Sequence, residues 1–325
     1  LACTCCSETY PLAEHYTCPG CRGELDVTYD HDWIKHHGSF STQWRQSGTI
    51  VERFADLMPL QDPTAAITMG EGNTPLIRAG NLARRLGLRN LYLKLECCNP
   101  TGSFKDRQVA IGLSKAREFG RSRFATVSSG NVGNALAAYA ARANNEALIW
   151  VSQETETAKL QQILVYGAKV FSIMTADQQE GADPYYQAFL DLSGYCERNG
   201  LTPMISARRV NPFMVEGAET IAYEVGASLN AAPDVVFAPI GGGGLVGGLS
   251  KGFHDLRALG LTSNEPALLC GQREPYFAPI AQENNPDYQT GYYHPLDGHW
   301  AAKAIEETGG AVYRANDTDI RHAQR

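Results

Sequence analysis

From about Asn81 to Cys270 the sequence alternates helical and strand patterns, and this alternation limits the fold more than any other feature. The pattern predicts strands over 90–95, 124–127, 147–151, 168–173, 234–240 and 267–270. It predicts helices over 82–86, 103–119, 132–143, 157–166, 185–197, 216–229 and 245–259. Strands that alternate with helices pair in parallel, and the helices cover the sheet faces. The expected architecture is therefore α/β, with doubly wound parallel sheets. Residues 31–68 lack this pattern. Trp33, Trp44 and Phe54 in that stretch suggest a connecting segment packed on a larger body.

A chain of 325 residues fits two domains and a small appendage. Its 43% hydrophobic and 19% charged content is enough for sizeable cores and excludes a disordered or collagen-like chain. A net charge of −7 argues against a nucleic-acid partner that needs a basic surface. The most apolar run, Val235 to Leu249, is too short and too rich in glycine to span a membrane. No signal-peptide pattern is present. The odd count of 9 cysteines does not suit a secreted disulfide scaffold, so a cytoplasmic location with reduced thiols is expected.

Four of those thiols form two Cys-x-x-Cys turns, Cys3 to Cys6 and Cys18 to Cys21, with Pro19 and Gly20 in the second. Two such turns can close a tetrahedral zinc site, as in zinc ribbons. Cys5 beside Cys6 makes one ligand ambiguous. Residues 1–30 are thus expected to form a zinc-ribbon-like appendage on Cys3, Cys6, Cys18 and Cys21.

Three loops stand at strand-to-helix junctions, where open α/β sheets bind ligands. The first, Asn99 to Arg107, contains Phe104 and Lys105 where a helix begins. The helix dipole and partial burial there disfavour a charged amine, and a neutral amine is what Schiff-base chemistry requires. Taken alone, Lys105 is better explained as a solvated helix lysine. The second loop, Ser128-Ser-Gly-Asn-Val-Gly-Asn134, offers hydroxyls and amides to a carboxylate at a helix N-terminus, or simply caps that helix. The third, Gly241-Gly-Gly-Gly-Leu-Val-Gly-Gly248, lets backbone N–H groups converge on a phosphate. Gly242 to Gly247 also fits the dinucleotide pattern Gly-x-Gly-x-x-Gly. That fingerprint expects an acid after the next strand, where Gly271 and Gln272 stand instead. A lysine, a carboxylate loop and a single-phosphate cradle together suit pyridoxal phosphate acting on an amino acid.

These motifs resemble the threonine synthase family of fold type II pyridoxal-phosphate enzymes. The resemblance runs through Gly70-Glu-Gly-Asn-Thr-Pro-Leu76, Leu93-Lys-Leu-Glu96, Asn99 to Arg107 and Ser128 to Gly133. It continues through Lys159-Leu-Gln-Gln162, Tyr166-Gly-Ala168, Asn211-Pro-Phe213, Glu216-Gly217 and Gly309-Gly-Ala-Val312. The Asp106-Arg107 pair after the lysine is specific to the threonine-synthase branch. The resemblance implies a large cofactor-binding domain of residues 31–112 and 206–325 and a small α/β domain of residues 113–205. Lys105 would carry pyridoxal 5'-phosphate, Phe104 and Asn131 would contact it, and Gly241, Gly242, Gly243, Gly244 and Leu245 would take its phosphate. Ser128, Ser129, Gly130, Lys159 and Asn211 would face the substrate.

The implied activity is that of a lyase in amino-acid biosynthesis. It would eliminate a leaving group, phosphate first, from an activated amino acid such as O-phosphohomoserine, after which water or another nucleophile adds. A homodimer is a further expectation. Two departures bear on the substrate. The tetraglycine is more like the serine and threonine dehydratases, which keeps a β-eliminating ammonia-lyase as the rival. The family's Gly-Asn-Phe-Asp segment is replaced by Thr175-Ala-Asp-Gln-Gln-Glu180. Arg208 and Arg209 are candidates to replace the phosphate donors lost with it. The family's hydroxyl residue facing the pyridine nitrogen is not assigned here, since the sequence stops at Arg325, and Tyr276 to Trp300 is shorter than the family pattern. The rival from another class is a non-catalytic zinc-ribbon binding module on a degenerate α/β scaffold.

Overall fold

The computed structural model describes residues 1–44, 46–173, 184–273 and 296–324. Strands β1 (Ala2–Cys3) and β2 (Leu25–Asp26) pair antiparallel and bring the two cysteine turns together over Leu1, Leu25, Val27 and Phe213. Helices α1 (His31–His37), α2 (Phe40–Gln43) and α3 (Ile50–Arg53) follow. Thr49 and Glu52 cap each other's backbone N–H at the start of α3. Trp44 and Phe54 pack with Phe40 and Tyr223, as expected of a segment laid on a larger body. Trp33 does not. It is 54% exposed and stacks on His37, because its neighbour Ile34 occupies the buried face of α1.

Strands β3 (Leu76–Arg78) and β4 (Tyr92–Lys94) form a second antiparallel pair, bridged by α4 (Gly80–Arg85). Helix α5 (Lys105–Glu118) follows, and it belongs to two cores. Ile111 joins the core around Trp44, Tyr223 and Phe253. Val109, Ala110 and Leu113 join the core beneath the first parallel sheet. A helix held on both sides has little freedom, so its first residue, Lys105, has a fixed position. The expected boundary at 112/113 lies within this helix.

The first parallel sheet has four strands in the order β7-β6-β5-β8. They are β5 (Arg123–Val127), β6 (Glu146–Ser152), β7 (Lys169–Ile173) and β8 (Thr202–Pro203). Their connections are α6 (Asn131–Arg142), α7 (Thr157–Val165) and α8 (Pro184–Asn199). The alanines of α6 allow it to lie close to α5, and Ala135 to Ala140 are all buried. After α9 (Pro212–Val215) the expected 216–229 helix is broken into a 3₁₀ turn, Glu216–Ala218, and α10 (Thr220–Leu229). The turn presses on α5: a Cβ on Gly217 would lie 2.3 Å from the carbonyl oxygen of Arg107.

The second parallel sheet has the order β11-β10-β9. Its strands are β9 (Val235–Pro239), β10 (Ala267–Arg273) and β11 (Ala311–Ala315). Helix α11 (Gly244–Ala258) follows β9, α12 (Gly298–Glu307) precedes β11, and α13 (Asp317–Ala323) follows it. The alternation thus yields parallel sheets as expected. The elements not anticipated are β1, β2, β3, β8 and β11 with α1, α2, α3, α9, α12 and α13, and all but α12 have seven residues or fewer. The segments 175–180 and 276–295, where departures from the family pattern fall, lie outside the described residues.

Candidate active site

One cavity of about 620 Å³ opens where the C-terminal ends of β5 and β9 face the start of α5. It is lined by Phe104 and Lys105, by residues 126–132, by the turn 205–207 and by residues 239–246, with Phe189 and Leu296 closing one wall. Three sequence motifs therefore meet, the last more than a hundred residues beyond the other two. The reason is topological: each follows a parallel strand or opens a helix at the same edge.

Lys105 is the first residue of α5, and its amine is enclosed by protein while the side chain still meets the cavity. Nζ donates to Ser206 Oγ at 2.7 Å and to Gln108 Oε1 at 3.0 Å, and it lies 4.4 Å from the centre of the Phe104 ring. Burial lowers the amine to about 8, against the pull of the Asp297 carboxylate. At neutral pH a few per cent to a tenth of such an amine is free base, about a hundred times more than for a solvated lysine. The bland reading of a solvated helix lysine does not hold.

Opposite Lys105, Gly243 is the N-cap of α11, with φ +100, and no side chain caps that helix. The amide N–H groups of its first turn are thus available to an anion. A Cβ on Gly243 would come within 2.4 Å of the Asp297 carbonyl oxygen, and one on Gly244 within 2.8 Å of Asp297 Oδ2. Glycine is required at these two positions, whereas Gly241 and Gly242 have open space beside them. The N-terminus of α6 is built alike. Gly130 is its N-cap, no side chain caps it, and Ser128 Oγ instead accepts from Gly130 N at 3.3 Å. The simple capping explanation for Ser128 to Asn134 therefore fails, and this loop also faces the cavity.

With this geometry in view, the comparisons with known proteins are specific. Residues 67–325 match the family described as pyridoxal-phosphate dependent enzyme. A threonine synthase of Methanocaldococcus jannaschii is 31% identical over 99% of this chain and 80% of its own length. One of Methanosarcina acetivorans is 32% identical over 100% of this chain and 80% of its own. The chain belongs to the threonine synthase family of pyridoxal-phosphate-dependent enzymes. The fold agrees. Maize serine racemase superposes with a TM-score of 0.60 at 19% identity, covering 78% of this chain and 74% of its own. Tomato threonine deaminase isoform 2 gives 0.57 at 23%, covering 74% and 68%.

The cavity fits the cofactor of this enzyme family. It offers an enclosed amine of lowered basicity and an uncapped glycine cradle facing it. It also offers the buried hydroxyl of Thr126, which has no hydrogen-bond partner among the described residues.

Two of the expected substrate-facing residues are not brought to this cavity. Lys159 is exposed on α7, 3.2 Å from Glu156. Asn211 is buried as the N-cap of α9, accepting from Met214 N and donating to Pro203 O. Nor do the two arginines line it. The Arg208 guanidinium is held by Glu24 at 3.2 Å and Asp26 at 3.5 Å over the Trp300 ring. The Arg209 side chain is exposed.

Asp106 and Arg107 face away from the cavity. Asp106 accepts from Thr101 N and Oγ1, which pins the loop before α5, and burial raises it to about 6. Arg107 bridges Glu96 and Glu224, each at 2.8 Å, and reaches Thr74 and Thr220. Ser206, Gln108, Thr126 and Asp297 were not anticipated. None belongs to a recognisable local pattern, and each reaches the site only through the fold.

The cysteine turns lie apart from the cavity. The sulfurs of Cys3, Cys6, Cys18 and Cys21 are all within 4.8 Å of one another, with Cys3–Cys21 at 3.4 Å and Cys6–Cys18 at 3.7 Å. A tetrahedral zinc ion with zinc–sulfur bonds of about 2.3 Å would space its sulfurs by roughly 3.8 Å. The fourth position falls to Cys6, which removes the ambiguity with Cys5. Among the described residues no helix is long and apolar enough to cross a membrane.

Proposed function

We propose that the protein is a pyridoxal-phosphate-dependent lyase that removes an oxygen-linked leaving group from an α-amino acid. The observation that carries this reading is the enclosed Lys105 amine facing two uncapped helix N-termini across one cavity. Gly241 to Gly244 and Leu245 would hold the cofactor phosphate, Phe104 and Asn131 would contact the cofactor, and Lys105 would anchor it. The bound cofactor supplies an electron sink for the α-carbon. The chain supplies the rest. Ser128, Ser129 and Gly130 orient the substrate carboxylate at the start of α6, and the Lys105 amine takes up and returns the α-proton. The apolar wall of Phe189, Ile205 and Leu296 limits water near that proton. The division of the chain into residues 31–112 with 206–325 and residues 113–205 is part of this proposal, with α5 shared between them.

Similarity to threonine synthases supports an O-phosphorylated substrate, O-phosphohomoserine first. A specific observation supports a second reading, elimination from a free hydroxy-amino acid. Among the described residues that line the cavity, Lys105 is the one lysine or arginine. The segments 174–183 and 274–295 contain neither. Among those described lining residues a second phosphate would meet neutral donors apart from Lys105, a weaker arrangement than a charged clamp. Offering the holoenzyme a panel of phosphorylated and free hydroxy-amino acids, while assaying phosphate, ammonia and keto acid, separates the two readings. Phosphate release supports the first; ammonia and keto acid from free serine or threonine, with no turnover of phosphorylated compounds, supports the second.

The four-cysteine group is proposed to hold a structural zinc ion remote from the chemistry, as closed sites do. Metal analysis should find about one equivalent, lost in the Cys18→Ser, Cys21→Ser variant. Equal metal in both proteins would reject the site.

A further inference from the structure

A lysine that bonds reversibly to other groups needs a fixed place for its amine when it is free. Two acceptors provide that place. Gln108 is one turn along α5 from Lys105, so the helix itself sets its position. Ser206 comes from the segment after β8, at the centre of a tight turn closed by Ala207 N donating to Ile205 O at 2.8 Å. That turn shapes the backbone locally, but where it sits relative to Lys105 depends on contacts from outside the segment.

Asp297 supplies such contacts. The residue is buried, just before α12, and it fastens three pieces of chain. Its carboxylate accepts Arg208 N at 3.0 Å and Arg209 N at 3.4 Å. Its own N–H donates to Gly242 O at 2.9 Å. Gly243 and Gly244 leave room for it, and a Cβ on Gly244 would also lie 3.2 Å from Ser206 O. Burial pushes Asp297 up to about 7, so keeping a carboxylate here is unfavourable. An apolar side chain could fill the space but could not hold two backbone N–H groups.

Arg208 extends the clasp outward. Its guanidinium lies 4.3 Å from the centre of the Trp300 ring on α12 and is anchored by Glu24 and Asp26, at and beside β2. The Ser206–Arg209 turn is therefore tied on one side to the phosphate-cradle loop and on the other to the cysteine-bearing appendage.

We infer that Asp297 and Arg208 are positioning residues that hold Ser206 as the dock for the free Lys105 amine. The inference rests on the reading of Lys105 as the reactive amine. The test has two readouts on the full chain. One is the pH dependence of Lys105 acylation by acetic anhydride without cofactor, followed by peptide mass spectrometry. The other is kcat and KM of the holoenzyme. Ser206→Ala removes an acceptor from the charged amine, and Asp297→Asn removes a negative charge and half the clasp. Both should move the acylation midpoint to lower pH and reduce kcat by about 10- to 100-fold, with KM changed less than about threefold. Ser206→Thr should restore both readouts. Arg208→Gln should give the same pattern at about a few-fold. If Asp297→Asn fails to fold, Ser206→Ala still decides the matter. Acylation curves and kcat unchanged in Ser206→Ala, beside an inactive Lys105→Ala, would overturn the clasp. An active Lys105→Ala would overturn the catalytic reading instead.

Discussion

Lys105 and Arg107 are two residues apart at the start of one helix, both cations, both enclosed, and the fold drives them in opposite directions. Burial lowers the Lys105 amine to about 8 because its hydrogen-bond partners, Ser206 and Gln108, are neutral. Burial opposes the charge on Arg107 too, yet the Glu224 and Glu96 carboxylates hold it well above its usual range. In return, Glu224's own burial pushes its carboxyl up, but Arg107 and Lys94 pull it down to about 2. The difference teaches that burial alone does not make a reactive amine. What matters is whether a carboxylate lies in hydrogen-bond contact. Just over half a turn of helix separates a residue kept available from a residue locked into the frame. The lock draws together Thr74, Glu96 and Glu224 from three separate parts of the chain.

The comparison can be broken most severely at Lys105. Lys105→Ala should lower kcat by roughly four orders of magnitude or more, since the group that acts covalently and moves the proton is gone. Its urea midpoint should stay at or above that of the parent. Turnover within tenfold of the parent would show that this amine is not the reactive one.

Arg107→Ala should have the reverse profile. It leaves buried Glu224 to Lys94 and half-buried Glu96 without its arginine, and breaking a buried pair costs about 3–5 kcal/mol. Equilibrium unfolding in urea measures that loss. A change below about 1 kcal/mol would mean that water or Lys94 replaces the arginine.

A smaller effect sharpens the contrast through pH. Between about 8 and the ordinary lysine value of 10.5, the unfolded chain keeps a proton on Lys105 that the folded chain has released. Stability of the cofactor-free protein should therefore rise with pH across that window, by up to roughly 3 kcal/mol from this group. Comparing the parent with Lys105→Met isolates the contribution. Parallel stability curves would contradict the lowered value. Arg107 titrates outside the accessible range and should add nothing to the slope.

The least effect is expected from Phe104→Leu. The ring face 4.4 Å from Nζ favours the charged amine by about 0.5–1 kcal/mol. Its loss should move the acylation midpoint of Lys105 down by less than one pH unit. An upward move would show that the ring acts mainly by excluding water.

How much of this was legible differs from element to element. The parallel sheets followed from alternation, since fully buried strands such as β6 and helices such as α6 carry dense apolar runs of distinct length. Short elements without such runs, β8 and β11 among them, were not visible, because their pairing is decided by neighbours. The three loops were legible for a different reason. Glycine, serine and asparagine before a helix have few structural uses, so Gly241 to Gly244 and Ser128 to Asn131 announced themselves.

The roles within those loops were not legible. The sequence by itself determined which backbone positions can bend close to an anion, where the helices begin, and that four cysteines stand at knuckle spacing. These are local properties of residue types. Only the tertiary structure decided that Lys105 faces Ser206 while Arg107 faces two carboxylates. It also withdrew Lys159, Asn211 and Arg208 from the cavity and brought Asp297 to the glycine loop. Charge state depends on solvent exclusion and on partners distant in the chain, and a linear sequence contains neither.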